Sequence, residues 1–88
     1  MNMFTRPAEH ASRTDVDVAT GILVGLRGCT VSAAHDELLG VAAEHRLSPF
    51  SVARALITLA SGGVTAGESS AVVDMRWGGL IAQTHEAH

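Results

Sequence analysis

Apolar residues recur every three or four positions in consecutive stretches of the chain, which is the period of an amphipathic α-helix. In the first stretch, Thr14 can cap the start of a helix and Gly28 can end it. In the second stretch, Thr30 and Ser32 both suit the cap, and an apolar stripe follows them. The pattern predicts two helices. The first runs from Thr14 to about Arg27, and the second ends near Glu44 to Arg46.

A third helix is predicted from Pro49 to about Ser61, because Ser48 suits the cap and proline is preset for a first helical position. Its apolar residues cover about 220° of the helix circumference, which is wider than one partner helix can bury. The third helix therefore either lies between the first two helices and a further element, or presents part of its surface to a second copy of the chain.

The segments before and after these three predicted helices have different sequence patterns. Residues 1–13 show no period, so we expect a flexible arm. Residues 62–88 begin with Gly62 and Gly63, which end the third helix. Two apolar clusters follow, and their pattern is compatible with either a short helix or an extended segment. The expectation is an all-α fold: a three-helix bundle over residues 14–61, with a loosely ordered N-terminal arm and an apolar C-terminal tail.

Composition limits the function classes. A chain of 88 residues holds a thin core, so we expect a homodimer. The formal net charge of −3 argues against long-range attraction to a polyanion, so any nucleic-acid site must be local. The single Cys29 excludes an intrachain disulfide, and no apolar run has membrane-spanning length, so we expect a cytoplasmic location.

Small and apolar residues within the three predicted helices follow a family pattern without a gap from Val18 to about Ala60. The residues that carry the pattern are Ala19, Gly21, Ile22, Leu23, Gly28, Cys29, Thr30, Ala34, Leu38, Val52 and Ala53. This pattern resembles the ANTAR domain, the RNA-binding module of AmiR/NasR-type transcription antitermination regulators. The resemblance implies a three-helix bundle that binds hairpins in mRNA leaders, often as a dimer.

The resemblance also indicates which residues would contact RNA. Relatives often carry Lys at the position of Thr20 and a basic run at the position of Arg46 to Phe50, and this chain keeps few of these charges. The residues expected on the RNA interface are Thr20, Arg27, Arg46, Ser48 and Arg54. Arginine suits such a role because it pairs with phosphate and stacks on unpaired bases.

Two functional hypotheses remain open from the sequence. The first is an RNA-binding antitermination regulator that recognises mRNA leader hairpins. The second is a protein-interaction or dimerisation module of the same fold that has lost RNA binding and pairs with itself or with a regulatory protein. The second hypothesis would use the apolar face of the third helix together with the tail.

No catalytic arrangement is evident in the sequence. There is no nucleophile–base pair, phosphate loop or nucleotide fingerprint, and the chain is not expected to be an enzyme. His35 and His45 stand nearly three helical turns apart, too far to share a metal. Asp36 and Glu37 are predicted to lie on a solvent-exposed helix face. No metal and no cofactor is predicted.

Overall fold

The computed structural model describes residues 7–63 and 67–86. These residues form helices and no strand: α1 (Pro7–Arg27), α2 (Val31–Glu44), α3 (Pro49–Ala60) and α4 (Glu68–Glu86). The all-α prediction is confirmed. The prediction of a three-helix bundle omitted one helix, because the described part of the tail forms a fourth helix, α4.

Helix α1 begins at Pro7, so the predicted start at Thr14 is wrong. The arm expected over residues 1–13 therefore does not apply to residues 7–13, and residues 1–6 lie outside the described part of the chain. The physical reason lies in the composition of this segment. Proline suits the first position of a helix, because its φ is helical and the N–H that it lacks would have no partner there. The residues from Ala8 to Arg13 include no glycine or proline that would break the helix. Absence of an apolar period shows only that a segment buries no continuous stripe, since helical propensity can still extend a helix.

The helix caps explain where α2 and α3 begin. The backbone N–H of Ala33 donates to Thr30 Oγ1 at 3.1 Å, and the N–H of Phe50 donates to Ser48 Oγ at 3.1 Å. Thr30 and not Ser32 therefore caps α2. Gly28 ends α1 with φ +67°, a left-handed conformation that glycine adopts at little cost, and its N–H donates to the Val24 carbonyl at 2.8 Å.

Helix α3 lies in the middle of the bundle and packs against each of the other helices. Its wide apolar arc is explained by this position, because α4 covers the part that α1 and α2 leave open. The alternative that a second copy of the chain must cover this arc is not needed. The largest fully buried side chains in the core are Leu23, Leu38, Val41, Val52, Leu56, Val73 and Trp77.

The connection after α3 requires glycine. The N–H of Gly63 donates to the Thr58 carbonyl at 2.8 Å, so the chain folds back on the last turn of α3. A Cβ at residue 63 would lie 2.8 Å from Thr58 Cγ2, closer than real Cβ atoms come, and a tight 3.2 Å from the Thr58 carbonyl oxygen. Residues 64–66 lie outside the described part of the chain. The glycine break predicts a loop over Val64 to Ser70, but α4 begins at Glu68.

Within the described ranges, no single helix is both long enough and apolar enough to cross a membrane. One bent pair, residues 13–27 with Val31–Glu44 at 111°, meets those criteria together by length and composition alone. The apolar stripes of both helices include fully buried core residues such as Leu23 and Leu38.

Candidate nucleic-acid interface

The connection between α2 and α3 presents Arg46 to solvent. Arg46 is exposed and has φ +56°, a left-handed conformation that is unusual for a residue with a side chain. Its backbone N–H donates to the Ala43 carbonyl at 3.2 Å, which closes the end of α2. No side chain in the described part of the protein pairs with its guanidinium, so Arg46 offers an uncompensated positive charge beside the start of α3.

Arg54 lies further along α3 and contacts α1. Its Nε donates to Asp15 Oδ2 at 3.2 Å, and its Nη2 lies 3.1 Å from the same oxygen. The Arg54 side chain is 64% exposed, and an ion pair at such a position contributes about 0–1 kcal/mol. The guanidinium carries further N–H groups that Asp15 does not engage, so a phosphate can bind Arg54 with or without displacing Asp15.

Phe50 is not among the residues that the sequence predicts at the RNA interface, but its exposure makes it a candidate. Its apolar side chain belongs to the wide apolar arc of α3, yet the residue is 46% exposed. Phe50 and Arg54 are four residues apart in α3 and are therefore neighbours on one helix face. An exposed aromatic ring beside arginines is the arrangement that stacks on an unpaired base. The signal in the sequence is its place at the end of the stretch from Arg46 to Phe50, where relatives carry a basic run.

Ser48 and Thr20 use their hydroxyl groups within the fold. Ser48 caps α3 and so fixes where the helix that carries Phe50 and Arg54 begins. Thr20 donates its hydroxyl hydrogen to the Val16 carbonyl at 2.8 Å and is only 5% exposed. Its position on α1 faces the core, and it does not lie on a surface with the arginines. The structure therefore gives no support to the prediction that Thr20 contacts RNA.

Arg27 lies far along α1 from Asp15, the partner of Arg54. It lies twelve residues after Asp15 in α1, which corresponds to about 18 Å along the helix axis. Its Nε and Nη2 donate to the two carboxylate oxygens of Glu37 at 3.2 and 2.7 Å. The structure thus leaves Arg46 exposed in the loop before α3 and Arg54 exposed on α3, and it holds Arg27 in a bidentate ion pair with Glu37.

Glu37 is the second residue whose role the sequence did not reveal. The indole Nε1 of Trp77 donates to Glu37 Oε2 at 2.9 Å, and Arg76 Nε lies 3.9 Å from the same oxygen. Trp77 is fully buried, so its N–H needs this acceptor. Glu37 therefore joins α1, α2 and α4 through one carboxylate, rather than standing as solvated surface.

The electrostatics of this cluster follow from its contacts. Partial burial raises the pKa of Glu37, but hydrogen bonds from Arg27 and Trp77 and the charges of Arg27 and Arg76 outweigh it, so the pKa lies below its ordinary value. The hydrogen bond to Glu37 raises the pKa of Arg27. The ion pair is consequently charged at neutral pH, and Arg27 is already satisfied within the protein.

The fold is a small helical module in which Arg46, Phe50 and Arg54 are exposed in the loop before α3 and along its first half. The model of the ANTAR domain family matches residues 7–57, which is more than half of the chain, and the chain belongs to this family. Searches of curated proteins and of solved structures gave no match. The ANTAR domain is an RNA-binding domain of transcription antitermination regulators, and helix α4 lies beyond the matched residues.

Proposed function

We propose that this protein is an RNA-binding regulator of transcription antitermination that recognises hairpins in mRNA leaders. The interface is the α3 surface, defined here as Arg46, Phe50 and Arg54. The observation that carries the proposal is that these three residues are exposed in the loop before α3 and on its first half, in a chain that belongs to an RNA-binding family. Ser48 contributes by capping the helix that carries them. Arg27 is not part of this surface, because Glu37 holds it.

The charge of the chain limits how the α3 surface binds. With a net charge of −3 and two arginines on the surface, few phosphates can be neutralised. Each phosphate contact contributes about 0.7–0.9 to the slope of log affinity against log salt concentration, so two contacts give a slope of about 1.4–1.8. Stacking of an unpaired base on Phe50 supplies a part of the affinity that depends little on salt.

Such binding changes transcription through a folding equilibrium of the RNA. A leader that can form either a terminator or an alternative hairpin shifts towards the fold that the protein binds. At a protein concentration of about 100 times the dissociation constant, this linkage supplies about 2.7 kcal/mol. The protein needs no catalytic step for this effect, and transcription places it in the cytoplasm.

Binding to a pool of RNA hairpins tests the proposal. The pool has one constant stem and a randomised loop, and the comparison RNAs are the same stem as a blunt duplex and a single strand of random sequence. We expect hairpins to bind preferentially, and Arg46→Ala and Arg54→Ala each to weaken binding by about 1–3 kcal/mol and to reduce the salt slope. Equal binding of the three RNAs would contradict the proposal.

Arg13→Ala is the matched control for these variants. Arg13 is exposed and lies two residues before Asp15 on α1, about 200° around the helix from it. It therefore faces away from the side on which Asp15 meets Arg54. Its removal takes away one positive charge without touching the α3 surface, so hairpin affinity is expected to change by less than about twofold.

Dimerisation is the second proposal, and one observation favours it. Val18, Ile22 and Leu26 form a stripe on α1, where Val18 is exposed and the other two line a groove of about 330 Å³ with Ile81 of α4. A stripe of this kind suits the same stripe of a second copy. Sedimentation is expected to show a dimer that Val18→Glu dissociates and that Val31→Glu, an exposed change on α2, leaves intact. A wild-type monomer would contradict this proposal.

A regulatory protein remains the alternative partner for the same stripe, as an interaction module would require. That reading predicts that RNA binding is absent while association persists. Because the hairpin assay and sedimentation are independent, their results separate the two functions: hairpin preference without self-association supports the first proposal alone, and self-association without hairpin preference supports the second.

A further inference from the structure

A cleft of about 440 Å³ lies between the outer face of α3 and the first residues of α4. This volume is within the range of roughly 300–1,000 Å³ that is typical of sites for small ligands. On one side it is lined by Ser51, Arg54 and Thr58 of α3. The remaining lining residues are Leu47, Ala55, Gly67, Glu68, Ser69 and Ser70. The cleft shares Arg54 with the α3 surface.

One wall of this cleft belongs to the part of the chain outside the family match. The matched residues end at 57, whereas the wall opposite Ser51 and Arg54 is the segment from Gly67 to Ser70. The α3 surface alone would leave Arg54 on an open helix face. The addition of α4 turns that face into a site with two sides.

The lining of the cleft combines three kinds of chemistry. Leu47 and Ala55 are apolar and largely withdrawn from solvent, so they can support the flat face of a base. Arg54 has N–H groups that Asp15 does not engage and can bind a phosphate. Glu68 supplies a carboxylate on the other wall, which accepts hydrogen bonds from amino groups and repels a second phosphate.

We propose that this cleft binds a single unpaired nucleotide from the loop of the RNA hairpin. The phosphate of this nucleotide pairs with Arg54, its base packs against Leu47 and Ala55, and an exocyclic amino group of the base donates to Glu68. The site therefore prefers adenine, cytosine or guanine to uracil, which has no amino group. The inference rests on the proposed RNA-binding function and assigns the recognition of one loop position to a wall that α4 provides.

The first test fills the cleft. Ser51 is an exposed residue in the first turn of α3, and Ser51→Phe places a ring in the cleft while leaving every charge in place. Ser32→Phe is the matched control, since Ser32 is an exposed serine in the first turn of α2. Binding is measured with the hairpin pool, and circular dichroism confirms that both variants fold. We expect Ser51→Phe to weaken hairpin binding at least tenfold and Ser32→Phe to change it less than twofold.

The second test measures which base the cleft prefers at each loop position. Loops in which one position at a time is uridine or abasic are bound to wild type and to Glu68→Gln. Wild type is expected to lose at least fivefold in affinity at one loop position, and Glu68→Gln to lose most of the discrimination against uridine at that position. This readout does not depend on whether Ser51→Phe folds.

The outcomes separate the cleft from the function. If wild type prefers hairpins but Ser51→Phe binds them as wild type does, or no loop position is sensitive, the cleft assignment is wrong and the proposed function stands. If wild type shows no hairpin preference, both are wrong. Saturable binding of free nucleoside 5′-monophosphates, with no loop-position effect, would assign the cleft to a free nucleotide and would also overturn the inference.

Discussion

Replacing Glu37 with alanine is predicted to destabilise the protein more than any other single change of an acidic residue in the described chain. The substitution removes the carboxylate that accepts from Trp77 Nε1 at 2.9 Å and from Arg27 at 2.7 and 3.2 Å. Trp77 is 0% exposed with Glu37 in place, so the protein offers its indole N–H no second acceptor. In the Glu37→Ala variant this N–H loses its protein partner, and only water entering the space that the carboxylate vacates can replace it.

The magnitude follows from these contacts. An unsatisfied buried donor costs about 1–3 kcal/mol, and the ion pair with Arg27, at a partly exposed position, contributes about 1 kcal/mol or less. The expected loss is about 2–3 kcal/mol in the free energy of unfolding. Domains of this size have a total stability of about 4–13 kcal/mol, so the change is a substantial fraction of it.

Urea denaturation followed by circular dichroism measures the effect, with Asp36→Ala as the control. Asp36 is the exposed neighbouring acid, and its loss is expected to change stability by less than about 0.5 kcal/mol. A double-mutant cycle with Trp77→Phe isolates the hydrogen bond. In the Trp77→Phe background no indole N–H remains, so Glu37→Ala is expected to cost about 1 kcal/mol or less. An equal cost in both backgrounds would refute the reasoning.

Three further predictions test the fold and its electrostatics. Because the pKa of Glu37 lies below its ordinary value of 4.5, the stability that its ionised form adds is complete above pH 4.5 and is lost as the pH falls through the lowered value. The difference in unfolding free energy between wild type and Glu37→Gln should therefore shrink in acid, and a constant difference would contradict this. Ser48→Ala removes the cap of α3 and should cost about 1 kcal/mol by urea denaturation; no loss would argue against the cap. A chain truncated after Gly63 lacks α4 and exposes the face of α3 that α4 covers, so sedimentation and thermal unfolding should show association or loss of cooperativity; a stable, cooperative monomer would show that α4 is dispensable.

The sequence predicted the elements that local signals specify. The apolar period and the cap residues located α2 and α3, because a Ser or Thr hydroxyl at the start of a stripe is a short-range feature. The start of α1 was missed, since the segment from Pro7 has helical propensity without an apolar stripe. The tail stayed undecided because its apolar clusters are short, and Gly78 and Gly79 between them favour neither structure.

The candidate site was harder to predict because its contacts are distant in sequence. Arg54 and Asp15 are 39 residues apart, and Trp77 and Glu37 are 40 apart, so no spacing rule connects them. These contacts leave Arg54 on an accessible surface but satisfy Arg27 within the protein. Phe50 was missed for a related reason: an apolar residue at a helix start is buried or exposed according to what packs on it, and only the fold decides that.

The most direct test of the central claim is a titration of the isotope-labelled protein with the hairpin pool, followed by NMR chemical shifts of the backbone amides. The largest changes are expected from Arg46 to Arg54 and at the start of α4, with small changes around Arg27. Changes concentrated on the exposed face of α2 around Leu39, or no changes at saturating RNA, would contradict the claim that the α3 surface binds RNA.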